Sequence, residues 1–275
     1  MNEKIAIQGI KGSFHHQAAS EYFGDSIELL ECLSFDNLVD QLNERIVKKG
    51  VMAIENSIAG SIIPNYALID DNDLHIVGEH YINVHHNLMA LPGQQIEDIS
   101  EVYSHPMALL QCKAFLRQYD HIKLIEDADT ADVARRISDK NLKGIAAIAS
   151  YKAAEIFGLD ILAPEIQTIK NNATRFVIVQ KKNSVIPESQ INKASLKFEL
   201  DHKRGSLATV LNVMSDCHLN LTKIQSLPKI ETPWKYAFFV DVTFDKYADF
   251  QKAKSVLSIM AEHFKIHGEY INGKL

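Results

Sequence analysis

The chain has 275 residues, 46% apolar, 23% charged and 8% aromatic, with 29 Lys plus Arg against 35 Asp plus Glu. That length splits into two domains at ordinary core sizes, and the composition excludes a disordered or low-complexity chain. A formal net charge of −6, with no Lys/Arg run longer than two, argues against a nucleic-acid binder. No apolar run approaches the roughly 20 residues of a membrane span, and Met1-Asn2-Glu3-Lys4 ahead of Ile5 has neither a basic n-region nor an apolar h-region. Cys32, Cys112 and Cys217 are far apart and lack CxxC spacing, which suits reduced thiols and no zinc site. A cytoplasmic protein without membrane or nucleic-acid partners is expected.

Lys4–Gln8 and Val51–Ile54 read as short strands buried on both faces. Between them Phe35, Leu38, Val39, Leu42 and Ile46 recur at helical spacing, with Ser34 as N-cap. Glu101–Ser104, Lys123–Glu126 and Leu142–Ala149 are further strands, followed by helices that begin near Pro106, Thr130 and Ser150. This alternation predicts mostly parallel α/β sheets with ligands at the carboxyl ends of strands. A polar stretch from Gln180 to Asn192 is the linker. Beyond it, strands at Leu196–Leu200, Leu219–Ser226, Tyr236–Phe244 and Ile266–Ile271 enclose two helical stripes. The first runs from Leu207 to Cys217, the second through Phe250, Ala253, Leu257, Met260 and Phe264. The order is βαββαβ, a ferredoxin-like sheet with one face under its helices and the other free to meet a partner.

No P-loop, GxSxG, HExxH or EF-hand pattern occurs. Gly9-x-x-Gly12 is too short for a dinucleotide fingerprint. The pairs His15-His16 and His85-His86 diverge on any regular element, so they are poor metal co-ligands. Polar residues crowd where strands hand over to helices: Glu55-Asn56-Ser57, Ser104-His105-Pro106 and Asn171-Asn172-Ala173-Thr174-Arg175-Phe176. Any one segment reads as N-capping. Together, at strand ends of one α/β half, they point to a small anion held by hydroxyls and helix N-termini.

Gly9-x-x-Gly12-Ser13-Phe14, Glu55-Asn56-Ser57-x-x-Gly60, Ser104-His105-Pro106-x-Ala108-Leu109-x-Gln111-Cys112 and Asn172-x-Thr174-Arg175-Phe176, in that order, closely resemble prephenate dehydratase. The tail resembles an ACT domain, through Arg204-Gly205-Ser206-Leu207, Asn220–Pro228 and Tyr236-x-Phe238-Phe239-Val240-Asp241. The resemblance implies a catalytic domain over residues 1–180, folded like a type II periplasmic binding protein. Lobe one would be about 1–77 and 163–180, and lobe two about 78–162. A linker over 181–194 and an ACT regulatory domain over 195–275 would follow.

The implied reaction converts prephenate to phenylpyruvate, carbon dioxide and water without a cofactor. Thr174 is implied as the catalytic hydroxyl. Ser13, Asn56, Ser57, Ser104, His105, Arg175 and Phe176 are implied at the substrate, with Ser13 and Ser104 binding carboxylate. His105 is a second acid or simply a cap, Arg175 a carboxylate donor or a structural ion pair, and Glu55 structural. The effector L-phenylalanine would meet Gly205, Ser206, Leu207, Ala208, Asn220, Leu221, Gln225 and Ser226 between ACT domains of a homodimer or homotetramer. Ile10, His15 and Met107 depart from the family pattern, and Gln225-Ser226-Leu227-Pro228 lacks the family's Glu and Arg, which bears on feedback strength. With no helical chorismate mutase segment before Ile5, a monofunctional enzyme is expected. Arogenate dehydratase, and a non-catalytic small-anion or amino-acid binding protein, are the alternatives.

Overall fold

The computed structural model describes residues 3–182, 186–200, 203–228 and 236–274. Residues 183–185 of the expected linker lie outside them. The chain divides into two compact units: Met1–Gly60 with Tyr81–Phe176, and Ser61–His80 with Val177–Leu275.

The elements begin with β1 (Lys4–Gln8), α1 (Phe14–Phe23), β2 (Glu28–Cys32), α2 (Phe35–Asn43), β3 (Lys49–Asn56) and β4 (Gly60–Ser61). They continue with α3 (Ile63–Asp71), β5 (His75–Asn83), β6 (Asn87–Ala90), β7 (Glu101–Ser104), α4 (Pro106–Gln111) and α5 (Lys113–Leu116). Next come β8 (Lys123–Glu126), α6 (Thr130–Asp139), β9 (Ile145–Ala149), α7 (Tyr151–Phe157), β10 (Asp160–Ala163) and β11 (Ala173–Gln180). One sheet has the order β2-β1-β3-β11-β5, a second β10-β6-β9-β7-β8. The chain leaves the first sheet after β5, builds the second, and returns as β11 between β3 and β5. This is the two-lobed α/β architecture of type II periplasmic binding proteins.

The expected doubly buried strands explain themselves by alternation. In β9, Ala146 and Ile148 enter the cluster with Val102 and Leu109, while Ala147 and Ala149 enter the one with Val133, Ala134 and Ile137 of α6. Each large apolar side chain so buried contributes about 1.5–3 kcal/mol. Ser34 caps α2 as expected, its Oγ accepting the Asn37 N–H at 3.1 Å. Gly12 closes the β1–α1 turn with φ +88°, and a Cβ there would lie 3.0 Å from the Ala153 Cα, so only glycine fits. Strand β2 has no counterpart in the sequence reading, because Glu28–Cys32 mixes charged and apolar residues without a clean period.

The second unit holds β12 (Lys193–Glu199), α8 (Ser206–Asp216), β13 (Asn220–Pro228), β14 (Tyr236–Thr243), α9 (Tyr247–Met260) and β15 (Glu262–Tyr270), in the sheet order β13-β14-β12-β15. Ala194, Leu196 and Phe198 of β12 face the helices with Val210, Met214, Phe250 and Leu257. Two expectations need correction. The second helical stripe ends at Met260, and Phe264 sits in β15, because pairing from Glu262↔Glu199 to Tyr270↔Lys193 outweighs the helical period. The other face of the sheet is not simply free. Within this unit Lys193 meets Glu79 at 2.8 Å, Lys197 and Lys265 meet Asp70, and Tyr66 packs edge-on to Phe239 at 5.4 Å. A Cβ on Gly268 would lie 2.0 Å from the Ile76 carbonyl oxygen, so that position also requires glycine. Residues 61–80 therefore group with the C-terminal sheet, a division that differs from the expected boundary at 180.

Among the described residues no helix is long and apolar enough to cross a membrane. No group of three or more His, Cys, Asp or Glu is placed to hold a metal ion among them.

Candidate active site

The first unit contains a cavity of about 310 Å³, at the small end of ligand sites. Three helix starts border it: Ser13 and Phe14 of α1, His105, Met107 and Ala108 of α4, and Asp129 and Thr130 of α6. Each cap side chain accepts one amide. Ser13 Oγ takes the His16 N–H at 3.2 Å, His105 Nδ1 the Met107 N–H at 3.2 Å, and Asp129 Oδ1 the Asp132 N–H at 2.8 Å. Other first-turn amides have no partner within their helices, and the positive dipole ends favour carboxylates. Among the described residues the lining includes no Lys or Arg.

A hydrogen-bonded chain crosses the cavity wall. The Asn56 Nδ2 donates to Asn172 Oδ1 at 2.7 Å and to Thr174 Oγ1 at 2.9 Å. Asn172 Nδ2 donates to Gln111 Oε1 at 3.0 Å, and the same oxygen lies 2.9 Å from His86 Nε2. The direction of this chain is set by the backbone. Asn56 Oδ1 accepts the Ile58 and Ala59 amides at 2.9 and 2.8 Å, which makes its other terminus the NH₂ donor. Thr174 Oγ1 thus accepts a hydrogen bond from the Asn56 NH₂ and keeps its own O–H to donate to a ligand.

Strand alternation sorts the expected site residues. Thr174 and Phe176 of β11 line the cavity, and Arg175 between them is buried on the opposite face. Arg175 is not among the cavity-lining residues, a placement that suits its structural reading rather than a contact with substrate. Ser57 is exposed and not in the lining; it clips β3 to β11 by accepting the Ala173 N–H at 2.9 Å. Ser104, expected at a carboxylate, is wholly buried outside the lining and donates to the Ile148 carbonyl at 2.6 Å. Ser13, Asn56 and His105 are in the lining, and His105 is the α4 cap as well. Gln8, Gln111, Asp129 and Asn172 also line the site without having been singled out as binding residues. Gln111 and Asn172 did stand inside the quoted motifs, but only the fold shows that they meet.

His15, which stands where the family has a small hydroxyl residue, packs edge-on to Phe176 at 4.9 Å and accepts the Ala53 N–H on Nε2 at 3.3 Å. Burial lowers its pKa to about 3, so it is neutral at physiological pH. The unfolded chain binds this proton first. Its contribution to stability is therefore complete above about pH 6.5 and is lost as the pH falls towards 3, by up to about 1.4 kcal/mol per pH unit. Urea midpoints measured from pH 7 to pH 4 should fall, and His15→Gln should flatten the slope. His267, lowered by burial to about 4, adds a share of its own in the second unit.

The expected effector residues do not form one cluster in a single chain. Gly205–Ala208 open α8, and the register puts Gln225 and Ser226 level with Lys197 and Phe198, towards the Glu199 end of the sheet. Asn220 and Leu221 lie at the opposite end, level with Lys193 and Ala194. The 11 residues of α8 separate the two sets by about 16 Å at 1.5 Å per residue.

The prephenate dehydratase family model matches residues 5–184. Arogenate dehydratase/prephenate dehydratase 2 of Arabidopsis thaliana is 37% identical across 86% of this chain and 64% of its own length. The bifunctional chorismate mutase/prephenate dehydratase of Neisseria gonorrhoeae is 32% identical across 97% and 74%. A solved structure described as a novel type of quorum-quenching acylase is 26% identical, with a TM-score of 0.88 and 99% of both chains covered. The chain spans 64%, 57% and 58% of the lengths of three plant relatives. With these motifs gathered on one cavity wall and two thirds of its length matched by the family model, the chain belongs to the prephenate dehydratase family.

Proposed function

We propose that this chain catalyses the decarboxylating dehydration of prephenate to phenylpyruvate. The observation that carries it is the Thr174 hydroxyl, which the Asn56 amide holds as a donor into the cavity. The ring carboxylate leaves as carbon dioxide, its bonding pair enters the ring, and the para C–O bond breaks. The prephenate dianion plus one proton gives the phenylpyruvate monoanion, carbon dioxide and water. Electrons balance within the substrate, so the step calls for no external redox partner.

Aromatisation supplies the driving force. The protein orients the substrate, and Thr174 donates to the departing oxygen as negative charge develops on it. The helix starts at Ser13, His105 and Asp129 hold the carboxylates. An acylase would need an activated nucleophile in the cavity. Ser13 caps α1, Ser104 is committed to Ile148, and burial pushes the Cys112 thiol up to about 12.

The βαββαβ sheet supports reading 195–275 as an ACT domain after the 181–194 linker, regulating the 1–180 catalytic domain. L-Phenylalanine would be the effector. Its residues fall at both ends of α8, which favours a site completed by a second copy in a homodimer or homotetramer. Three free cysteines suit the cytoplasm. Incubating the protein with prephenate at mildly alkaline pH should yield phenylpyruvate, with turnover suppressed by L-phenylalanine. Folded protein that consumes neither prephenate nor arogenate would overturn the reading.

A further inference from the structure

The carboxamide chain on the cavity wall ends at His86, a ring that the mechanism leaves unused. Because the backbone fixes Asn56 as a donor, each later group in the chain has one available role. Asn172 accepts on Oδ1 and donates from Nδ2, and Gln111 Oε1 accepts that second bond. The same oxygen can only accept again from the ring nitrogen 2.9 Å away, so His86 Nε2 carries the proton. Burial lowers the His86 pKa and keeps the ring neutral. Its Nδ1 is then a bare lone pair, buried and without a hydrogen bond among the described residues. The ring is also fixed in place. His86 is buried, its N–H donates to Gln167 Oε1 at 2.9 Å, and its carbonyl accepts the Ile166 N–H at 2.8 Å. Phe14 packs edge-on to the imidazole at 5.6 Å.

We propose that His86 is a positioning residue: by donating from Nε2 to Gln111 Oε1 it holds the Gln111 NH₂ as a donor to a substrate oxygen. The role rests on the dehydratase reading. Gln111 lines the cavity, and its NH₂ makes no hydrogen bond among the described residues. A carboxamide turned by 180° has nearly the same shape, so packing alone does not choose its orientation. Asn172 holds the oxygen with one bond, and His86 adds a second from a ring that cannot swing away. The donor is thus ordered before substrate arrives, and binding does not bear that cost. The contact is equally strong in ground and transition states, so its loss is felt in KM rather than kcat.

The test is prephenate kinetics on full-length variants. His86→Leu removes the N–H and should raise KM by about tenfold, the worth of one ordered hydrogen bond, with kcat nearly unchanged. His86→Gln can place an N–H where Nε2 stood and should recover most of that loss. In a Gln111→Met background, His86→Leu should raise KM no further. Nitrogen-15 NMR of the histidine-labelled wild type should show His86 protonated on Nε2 and bare on Nδ1, a readout that depends on no variant folding. A ring protonated on Nδ1 overturns the proposal. So does an unchanged KM in His86→Leu, or a rise in KM as large in the Gln111→Met background as in the wild type, the mark of a merely structural histidine. A wild type that turns over neither prephenate nor arogenate overturns the dehydratase reading itself, and this role with it.

Discussion

Thr174→Ala should lower kcat by about 10²–10³-fold with little change in KM, the loss typical of removing one donor aimed at developing negative charge. The expected split follows from geometry. The hydroxyl is held by the Asn56 amide before any ligand arrives, so its removal costs charge stabilisation in the transition state rather than ground-state affinity. Thr174→Ser keeps an O–H within reach of Asn56 and should retain most of the activity. Asn56→Asp turns the donor into an acceptor that captures the Thr174 proton, and a loss as large as that of Thr174→Ala is expected. Steady-state kinetics of the three variants checks this. Full turnover by Thr174→Ala would remove the hydroxyl from the mechanism.

Glu79→Ala should cost about 3–5 kcal/mol of unfolding free energy, because it leaves the Lys193 ammonium buried without its counter-charge. The pair is sealed: the side chains are 0% and 3% exposed, and Lys193 Nζ reaches both Glu79 oxygens at 2.8 and 2.9 Å. The Gly273 amide also donates to Glu79 Oε1 at 2.9 Å, so the truncation strands a second polar group. The double variant Glu79→Leu with Lys193→Met replaces charge by apolar volume and should recover much of the loss. Urea denaturation of the full chain measures both. A single-variant loss below about 1 kcal/mol would show that water reaches the pair.

Arg175 and Ser104 show why the site was only partly visible in the sequence. Thr-Arg-Phe marks a polar strand end, but nothing within the tripeptide says which of its neighbours turns towards the cavity. One residue of register exchanges the faces of β11, and that register comes from sheet pairing with strands far away in the chain. Ser104 looks like a helix cap from its place before His105-Pro106, yet the cap is His105, and the serine is satisfied by Ile148, which lies 44 residues on. A helix start near Thr130 was readable, but not that Asp129 walls the cavity, because its approach to Gly9 joins segments 120 residues apart.

Local chemistry in the sequence was sufficient for the strand–helix alternation of the first unit, the cap at Ser34, and the βαββαβ order of the second. Those features arise from side-chain periodicity and from hydrogen bonds spanning three or four residues. The family motifs also located the Asn56 and Thr174 segments. Long-range pairing decided the rest: which hydroxyls face the cavity, the ending of α9 before Phe264, and the grouping of residues 61–80 with the C-terminal sheet through Glu79 and Asp70. No local pattern encodes such contacts. Each depends on which distant strand becomes the neighbour, and that is settled only when apolar burial and charge pairing are satisfied across the whole fold.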